Sequence, residues 1–415
     1  MSALPVRLAR PAAPTRPRAT APAAPTPPVP APAAPRSTAP ARRAPGAAAA
    51  ALLIAAAASG ISGPSLALPT AAHALRVPTA SAAWLMTAYG LGLLAGTPLL
   101  AATAGRRGPA ALVRAGAVLV ALGAAIVLAS PSALLPLAAG RAVEAAGAAG
   151  LTVAAFRIAG RDHSGRSTGL VAIGNAAGGT LGLFVGAGAS QLLGWRAALV
   201  MPLLALAVVP AVLLAVLRPT GQAGRVGRTP RPDRPGNIRP GAPGGRFRDA
   251  LPLGLLRRPD FRRPALLMLA LATVNFALVY GAPRRVTALT GWGPLPTGAA
   301  VASVALGGAL LSWQLVRLAP ALGTGRVRVL LAAGSTAAAV AAAFAPWPPV
   351  VLLGSALSSL VTAGGQGVLT GSAVGGLAPE RQGGAIGLFN LAFPAGVAAG
   401  PVLAGFADQT VQFLY

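Results

Sequence analysis

Cysteine, histidine and charged residues are scarce or missing in this chain, and each scarcity excludes a class of function. Cysteine is absent from the 415 residues, which excludes disulfide bonds, thiol catalysis and zinc–thiolate sites. The two histidines, His73 and His163, fall in predicted loops, so we expect no buried histidine metal centre. Charged residues make up 10% of the sequence, whereas soluble domains usually carry about 25%.

Long apolar runs take the place of the missing charge. Hydrophobic residues make up 54% of the chain, and apolar runs long enough to cross a bilayer, about 20 residues, recur along most of it. The sequence therefore predicts an all-α integral membrane fold. We place eleven spans at 47–70, 81–104, 110–130, 133–157, 167–191, 196–217, 264–283, 296–316, 327–346, 348–372 and 384–406.

Two segments without long apolar runs divide the chain into four parts. Residues 1–46 are rich in Pro, Ala and Arg and contain no acidic residue, a composition that does not order itself. Residues 218–263 are rich in Pro, Gly and Arg. We predict a disordered cytoplasmic tail over 1–46, a six-helix bundle over 47–217, a basic cytoplasmic linker over 218–263, and a five-helix bundle over 264–415.

The net charge of +27 comes from arginines in the tail, in the linker and between apolar runs. Because they concentrate in alternate loops, the positive-inside rule accounts for them, and we expect no nucleic-acid partner. The same bias predicts a multi-pass protein of the plasma (inner) membrane with a cytoplasmic N-terminus.

One glycine pattern occurs twice, 218 positions apart. Small residues four apart let two helix backbones approach closely in lipid. A helix repeated half a chain later predicts two pseudo-symmetric bundles with a substrate path between them. The offset also predicts a twelfth helix starting near residue 413, so we expect the last helix to be missing. The residues of the two copies are Gly169, Gly178, Gly182 and Gly186, then Gly387, Gly396, Gly400 and Pro401.

The first copy resembles a motif of the major facilitator superfamily, and within it of the drug:proton antiporters. That motif reads Gly, eight residues, Gly, three residues, Gly-Pro, two residues, Gly-Gly. Here Leu183 and Ala187 replace the proline and the last glycine, while the spacing is kept. The segments 67–70, 84–89 and 194–196 also resemble family segments, so the resemblance covers about residues 55–406.

The loop after the second span departs further from the family pattern Gly-x-x-x-Asp-Arg-x-Gly-Arg-Arg. Only Gly105, Arg106 and Arg107 remain, and Ala102 stands where the family has its Asp. Because that Asp helps to latch the two halves on the cytoplasmic side, the resemblance implies that the usual latch is missing here.

The fourth span contains Arg141 and Glu144, three residues apart on one helical face. An ionisable residue inside a bilayer is costly and marks a functional site by default. The family's corresponding Arg is linked to proton transfer, and Arg141 matches it. Family members with an acid in the first span would have it at Gly60, so proton coupling here depends on Glu144. The alternative is a mutually neutralised pair that packs the helix.

Several polar and aromatic residues within or beside the spans are candidates for lining a cavity. Polar side chains can equally bridge helices by hydrogen bonds, and aromatic ones can sit at the membrane interface. The candidates are Trp84, Tyr89, Asn175, Asn275, Tyr280, Gln366 and Asn390.

The expected function is secondary transport by alternating access: export of a small amphipathic compound while protons move inward through Glu144. No phosphate-binding Gly-x-x-x-x-Gly-Lys-Ser/Thr motif supports ATP-driven transport. We expect no enzyme activity, no cofactor and no metal, and a monomer whose partners are substrate, protons and the lipid bilayer. Two alternatives stay open: a proton-independent facilitator or importer of the same fold, and a truncated paralogue without transport.

Overall fold

A computed structural model describes residues 45–159, 166–217 and 252–414, and every regular element in them is helical. Short 3₁₀ turns occupy Gly63–Leu66, Met201–Leu203 and Leu253–Arg257. The α-helices are α1 (Pro45–Ser62), α2 (Leu68–Leu75), α3 (Thr79–Ala82), α4 (Trp84–Ala129), α5 (Leu134–Ala159), α6 (Arg166–Leu193), α7 (Trp195–Leu199), α8 (Leu204–Leu217), α9 (Pro259–Thr290), α10 (Pro294–Leu322), α11 (Thr324–Phe344), α12 (Pro348–Val374), α13 (Pro379–Asn390) and α14 (Ala392–Leu414).

Ten helical segments among the described residues are long and apolar enough to cross a membrane. An eleventh, Met201–Leu217, is apolar but shorter. Each of these segments overlaps one predicted span, which confirms the all-α, multi-span fold class. The predicted tail, and the predicted linker up to residue 251, lie outside the described residues.

Four predicted spans are not single helices. A single residue interrupts each of two, Ala83 within 81–104 and Leu391 within 384–406, and a proline-containing turn interrupts each of the other two. The span 47–70 ends as a helix at Ser62, turns through Gly63–Leu66 and continues as α2. The span 196–217 turns through Met201–Leu203. Pro64 and Pro202 have no amide hydrogen for a helical bond, so each chain segment tightens into a 3₁₀ turn at that point.

The predicted second and third spans are joined in α4. Gly108 lies within it at φ 75° and is followed by Pro109. Glycine accepts a positive φ without steric cost, and proline suits the first turn of the helix that follows. Two membrane-spanning segments therefore meet here without a loop between them.

The glycine repeat packs equivalent helix pairs in the two bundles. In the first bundle α6 lies on α1, and a Cβ atom at Gly178 would lie 2.1 Å from the carbonyl oxygen of Ala55. In the second bundle α14 lies on α9, and a Cβ atom at Gly396 would lie 2.4 Å from the Cβ of Ala272. Since real Cβ atoms do not approach so closely, glycine is required for both crossings.

We call the face at which α1 begins the near face and the face at which it ends the far face. Contacts between the two bundles lie toward the far face. The Tyr280 hydroxyl donates to the Thr79 carbonyl oxygen (3.3 Å). On α4, Gly90 lies against the backbone of Ala398 on α14, so close that a Cβ atom would be 2.3 Å from that residue's nitrogen. These contacts join the bundles on one side of the space between them.

Candidate functional site

A cavity of about 260 Å³ lies between the two bundles near the middle of their helices. Its walls come from α1, α5 and α6 of the first bundle and from α9, α10, α12 and α14 of the second. The far-face contacts lie beyond it. Apolar side chains make up most of the wall, and three are aromatic: Phe156, Phe276 and Phe393. The rings of Phe276 and Phe393 meet edge to face, with centroids 5.1 Å apart and planes at 84°.

The polar lining divides into groups that are bonded to the protein and groups that are not. Ser62 donates to the carbonyl oxygen of Gly179, and Thr362 donates to that of Leu271 (3.3 Å). The Asn275 Oδ1 accepts from the Ser358 hydroxyl (3.3 Å). Four lining residues have no side-chain hydrogen bond to any described residue: Asn175, Thr180, Ser359 and Gln366.

The Arg141–Glu144 ion pair lies inside the first bundle and does not line the cavity. Arg141 Nη1 is 2.8 Å from Glu144 Oε2, and both side chains are 0% exposed. The guanidinium also donates to the carbonyl oxygens of Gly60 (2.7 Å) and Leu199. Buried charges are stable in such a place only when they are paired and hydrogen-bonded, as they are here.

Tyr89 completes the surroundings of the ion pair. Its ring lies under the Arg141 guanidinium, 4.0 Å from centroid to Cζ, and its hydroxyl donates to the Ala57 carbonyl oxygen (3.0 Å). Two atoms of the pair, Arg141 Nε and Glu144 Oε1, have no hydrogen-bond partner among the described residues. The Tyr89 ring and the backbone carbonyl oxygens therefore stabilise the Arg141 guanidinium, whereas Glu144 Oε1 lacks a hydrogen-bond partner among the described residues.

Gly60 cannot hold the acid that the family resemblance would put there. A Cβ atom at Gly60 would lie 2.4 Å from Pro202 Cγ and 2.6 Å from the Tyr89 hydroxyl oxygen. Because the turn containing Pro202 and the Tyr89 ring fill this space, a longer side chain needs a different packing. Among the acidic side chains whose surroundings the structure describes, Glu144 is the one buried within a span.

A model of the Major Facilitator Superfamily matches residues 48–401, which is most of the chain. The chain belongs to the major facilitator superfamily. A search of curated proteins found no matching relative by sequence. The family assignment therefore depends on the family model, and it agrees with the paired bundles and the cavity between them.

Solved structures of other major facilitators have the same fold. A bacterial homolog of the human lysosomal transporter Spinster, inward-facing and unoccupied, has a TM-score of 0.64 at 16% identity, over 89% of this chain and 83% of that one. The nucleoside transporter NupG has a TM-score of 0.59 at 12% identity, over 86% and 90%. The human organic anion transporter MFSD10 has a TM-score of 0.56 at 18% identity, over 91% and 98%.

Three of the seven predicted lining residues of this facilitator lie on the cavity: Asn175, Asn275 and Gln366. The other four do not. The Tyr89 ring lies against the Arg141 guanidinium, and Tyr280 is fully buried against Thr79. Trp84 and Asn390 are exposed and are not part of the cavity wall.

Several lining residues were not predicted, chiefly the hydroxyl-bearing ones and Phe156. Serine and threonine are common in spanning helices, where they bond to the preceding turn, so a hydroxyl alone gives no signal. Phe156 lies near the end of its span, where an aromatic residue is typical of the membrane interface. The sequence feature that did identify lining residues was a side-chain amide in the middle of an apolar run.

The remaining motif residues fall into three groups. Gly182, Gly186 and Gly400 pack closely on a neighbouring helix, whereas a Cβ atom at Gly387 would have no heavy atom within 4 Å. Pro401 lies inside α14, and Arg107 is exposed. The side-chain surroundings of Gly105, Arg106 and Gly169 lie outside what the structure describes. No group of three or more His, Asp or Glu residues able to hold a metal occurs among the described residues.

Proposed function

We propose that this major facilitator is a secondary transporter that carries a small amphipathic compound through the cavity between its bundles. The observation that carries the proposal is the composition of the cavity wall, to which helices of both bundles contribute polar and aromatic side chains. Relative movement of the bundles then opens the cavity to one face of the membrane and closes it to the other. Of the similar structures, one is named for nucleosides and another for organic anions, so the fold alone does not name the substrate.

We propose export driven by inward proton movement as the mode of transport, with Glu144 as the proton site. The resemblance of α6 to the antiporter motif supports export. Protonation of Glu144 would remove its negative charge and weaken the Arg141 ion pair (2.8 Å). Arg141 would then redistribute its bonds, one of which goes to the Gly60 carbonyl oxygen on α1. Since Ile61 and Ser62 follow directly and line the cavity, α1 would transmit the change to the substrate.

A proton-independent facilitator or importer of the same fold is the second candidate. The observation in its favour is that no acidic side chain lines the cavity among the described residues. In this case the ion pair is structural and neutralises itself within the first bundle. The two candidates differ in whether Glu144 must change its protonation during transport.

Transport across an imposed proton gradient separates the candidates. Purified protein in sealed proteoliposomes should accumulate a compound against its gradient when the pH gradient is applied, and should lose this ability in Glu144→Gln. Asp260→Asn is the matched control, because Asp260 is an exposed acid at the start of α9. Equal gradient-driven transport by Glu144→Gln and the parent would favour the facilitator. The facilitator would also be favoured if the compound equilibrated across the membrane without accumulating, both in the parent and in Glu144→Gln.

A further inference from the structure

We infer that the compound carried is an uncharged molecule with a flat apolar part, and that Asn175 and Gln366 bind its hydrogen-bonding groups from opposite bundles. The inference deepens the proposed function and rests on it, since it takes the cavity as the place where the compound binds. Binding of this compound requires neither Arg141 nor Glu144 to change protonation.

Every described side chain that lines the cavity is uncharged. Arg157 follows Phe156 on α5, but its side chain is exposed and its Nη2 donates to the Ala101 carbonyl oxygen (3.4 Å). The other charges on α5 are the buried Arg141 and Glu144. These two are bonded to each other and to backbone carbonyl groups, and both are 0% exposed. A charged ligand would lose its hydration in the cavity without meeting an opposite charge, which is costly. The wall therefore selects against ions of either sign.

Some polar groups of the cavity wall hold the protein together, and others are open to a ligand. Ser62, Asn275 and Thr362 are already bonded to protein atoms. The side-chain amides of Asn175 and Gln366 are partly buried and have no hydrogen bond to a described residue. Each amide has two donors and a carbonyl acceptor, so hydroxyl, carbonyl and amide groups of a neutral ligand can all be bound.

Aromatic side chains of the cavity wall offer a surface to the apolar part of the ligand. Phe276 and Phe393 form an edge-to-face pair on the second bundle, and Phe156 faces the same cavity from the first. Aromatic side chains prefer offset-stacked or edge-to-face partners, so such a wall fits a planar ring better than a branched chain. A ring with neutral hydrogen-bonding substituents matches both parts of the lining.

The two amides belong to different bundles. Asn175 lies on α6 of the first bundle, and Gln366 lies on α12 of the second. A ligand that bonds to both amides bridges the bundles, so its binding depends on their relative position. The amides would thus contribute to specificity and also favour the conformation in which the bundles are close around the ligand.

Binding to the purified, full-length protein tests the inference without any transport step. The probes are matched aromatic triads with a neutral, an anionic and a cationic member: benzamide, benzoate and benzylamine, then phenylacetamide, phenylacetate and phenethylamine. Saturation-transfer NMR measures binding to the parent, to Asn175→Leu and Gln366→Met, and to Asn390→Leu. The last is the matched control, because Asn390 is an exposed amide outside the cavity lining. All variants are measured in the same detergent, so a difference in probe binding between them reflects a change in the cavity wall.

We expect the neutral members to bind best, and each cavity substitution to weaken their binding about five- to tenfold, as loss of one hydrogen bond would. The control should bind like the parent. Charged members binding as tightly as neutral ones would overturn the inference. Unchanged binding in both cavity variants would also overturn it. A variant with both substitutions, Asn175→Leu and Gln366→Met, gives the background signal, and the inference fails if no probe binds the parent above that background.

The outcome is distinguishable from failure of the proposed function. If the parent binds neutral probes through the two amides but proteoliposomes transport nothing, the transport proposal fails and the binding site stands. If proteoliposomes transport charged compounds and Asn175→Leu transports them equally well, transport stands and this inference fails.

Discussion

The Arg141 guanidinium lies 4.0 Å from the centre of the Tyr89 ring, and the two side chains are fully buried together. The ring belongs to α4 and the guanidinium to α5, so the contact joins two helices of the first bundle. A cation over an aromatic ring is worth about 2 kcal/mol when both are desolvated. The contact therefore supports the ion pair as well as the packing.

We predict that the Tyr89 ring matters more for stability than its hydroxyl. Tyr89→Phe removes the hydrogen bond to the Ala57 carbonyl oxygen and should lower the free energy of unfolding by about 1 kcal/mol. Tyr89→Leu also removes the ring under Arg141, so the loss should be about 2 kcal/mol larger. Thermal unfolding in detergent, followed by tryptophan fluorescence, measures both. Equal losses in the two variants would show that the ring contact contributes nothing.

Close approach of α6 and α1 gives a second prediction. Gly178→Ala places a methyl group 2.1 Å from the Ala55 carbonyl oxygen, so the helices must move apart. Overpacking of this kind costs about 1–3 kcal/mol. Gly188→Ala on the same helix is the control, since its methyl group would meet Leu295 at an ordinary 3.8 Å.

Gly188→Ala should keep the parent's unfolding temperature or raise it, because alanine favours a helix. The readouts are the yield of monodisperse protein and the midpoint of thermal unfolding. The prediction is wrong if the two alanine variants behave alike.

The sequence predicted the spans well because each one is a long apolar run, and a bilayer demands that length of helix. It did not predict the breaks at Pro64 and Pro202, since hydropathy does not register a missing amide hydrogen. Of the cavity, it predicted the three amides, which are costly in an apolar run. It did not show that Tyr89 lies against Arg141 and Tyr280 against Thr79, because the depth of a residue in a helix does not tell which neighbour its side chain faces.

Orientation in the membrane can be tested directly, because the chain contains no cysteine. The excess of arginine predicts that the near face is cytoplasmic. Leu253 lies at the near face before α9, and Leu193 lies at the far-face end of α6. Their side chains are 60% and 78% exposed, so each can be replaced by a cysteine that reagents reach. In intact cells a membrane-impermeant maleimide should label Leu193→Cys alone.

Permeabilised cells provide the control for that experiment, because both cysteines should then react. Labelling of Leu253→Cys in intact cells, with Leu193→Cys protected, would invert the orientation. In that orientation the far face would be cytoplasmic, and the contacts between the bundles there would close the cavity toward the cytoplasm.

The last prediction concerns what happens when one member of the buried ion pair is removed. Arg141→Met leaves Glu144 without its partner in an apolar bundle, and breaking a buried pair in this way costs about 3–5 kcal/mol. Adding Glu144→Gln removes the stranded charge, so the double variant should regain most of the lost stability. Glu144→Gln alone leaves Arg141 charged but still bonded to the Gly60 and Leu199 carbonyl oxygens, so it should lose less stability than Arg141→Met. The midpoint of thermal unfolding orders the variants. If the double variant is no more stable than Arg141→Met, the stranded acid is not the cause of the loss, and the contacts of Arg141 with the backbone and with Tyr89 are.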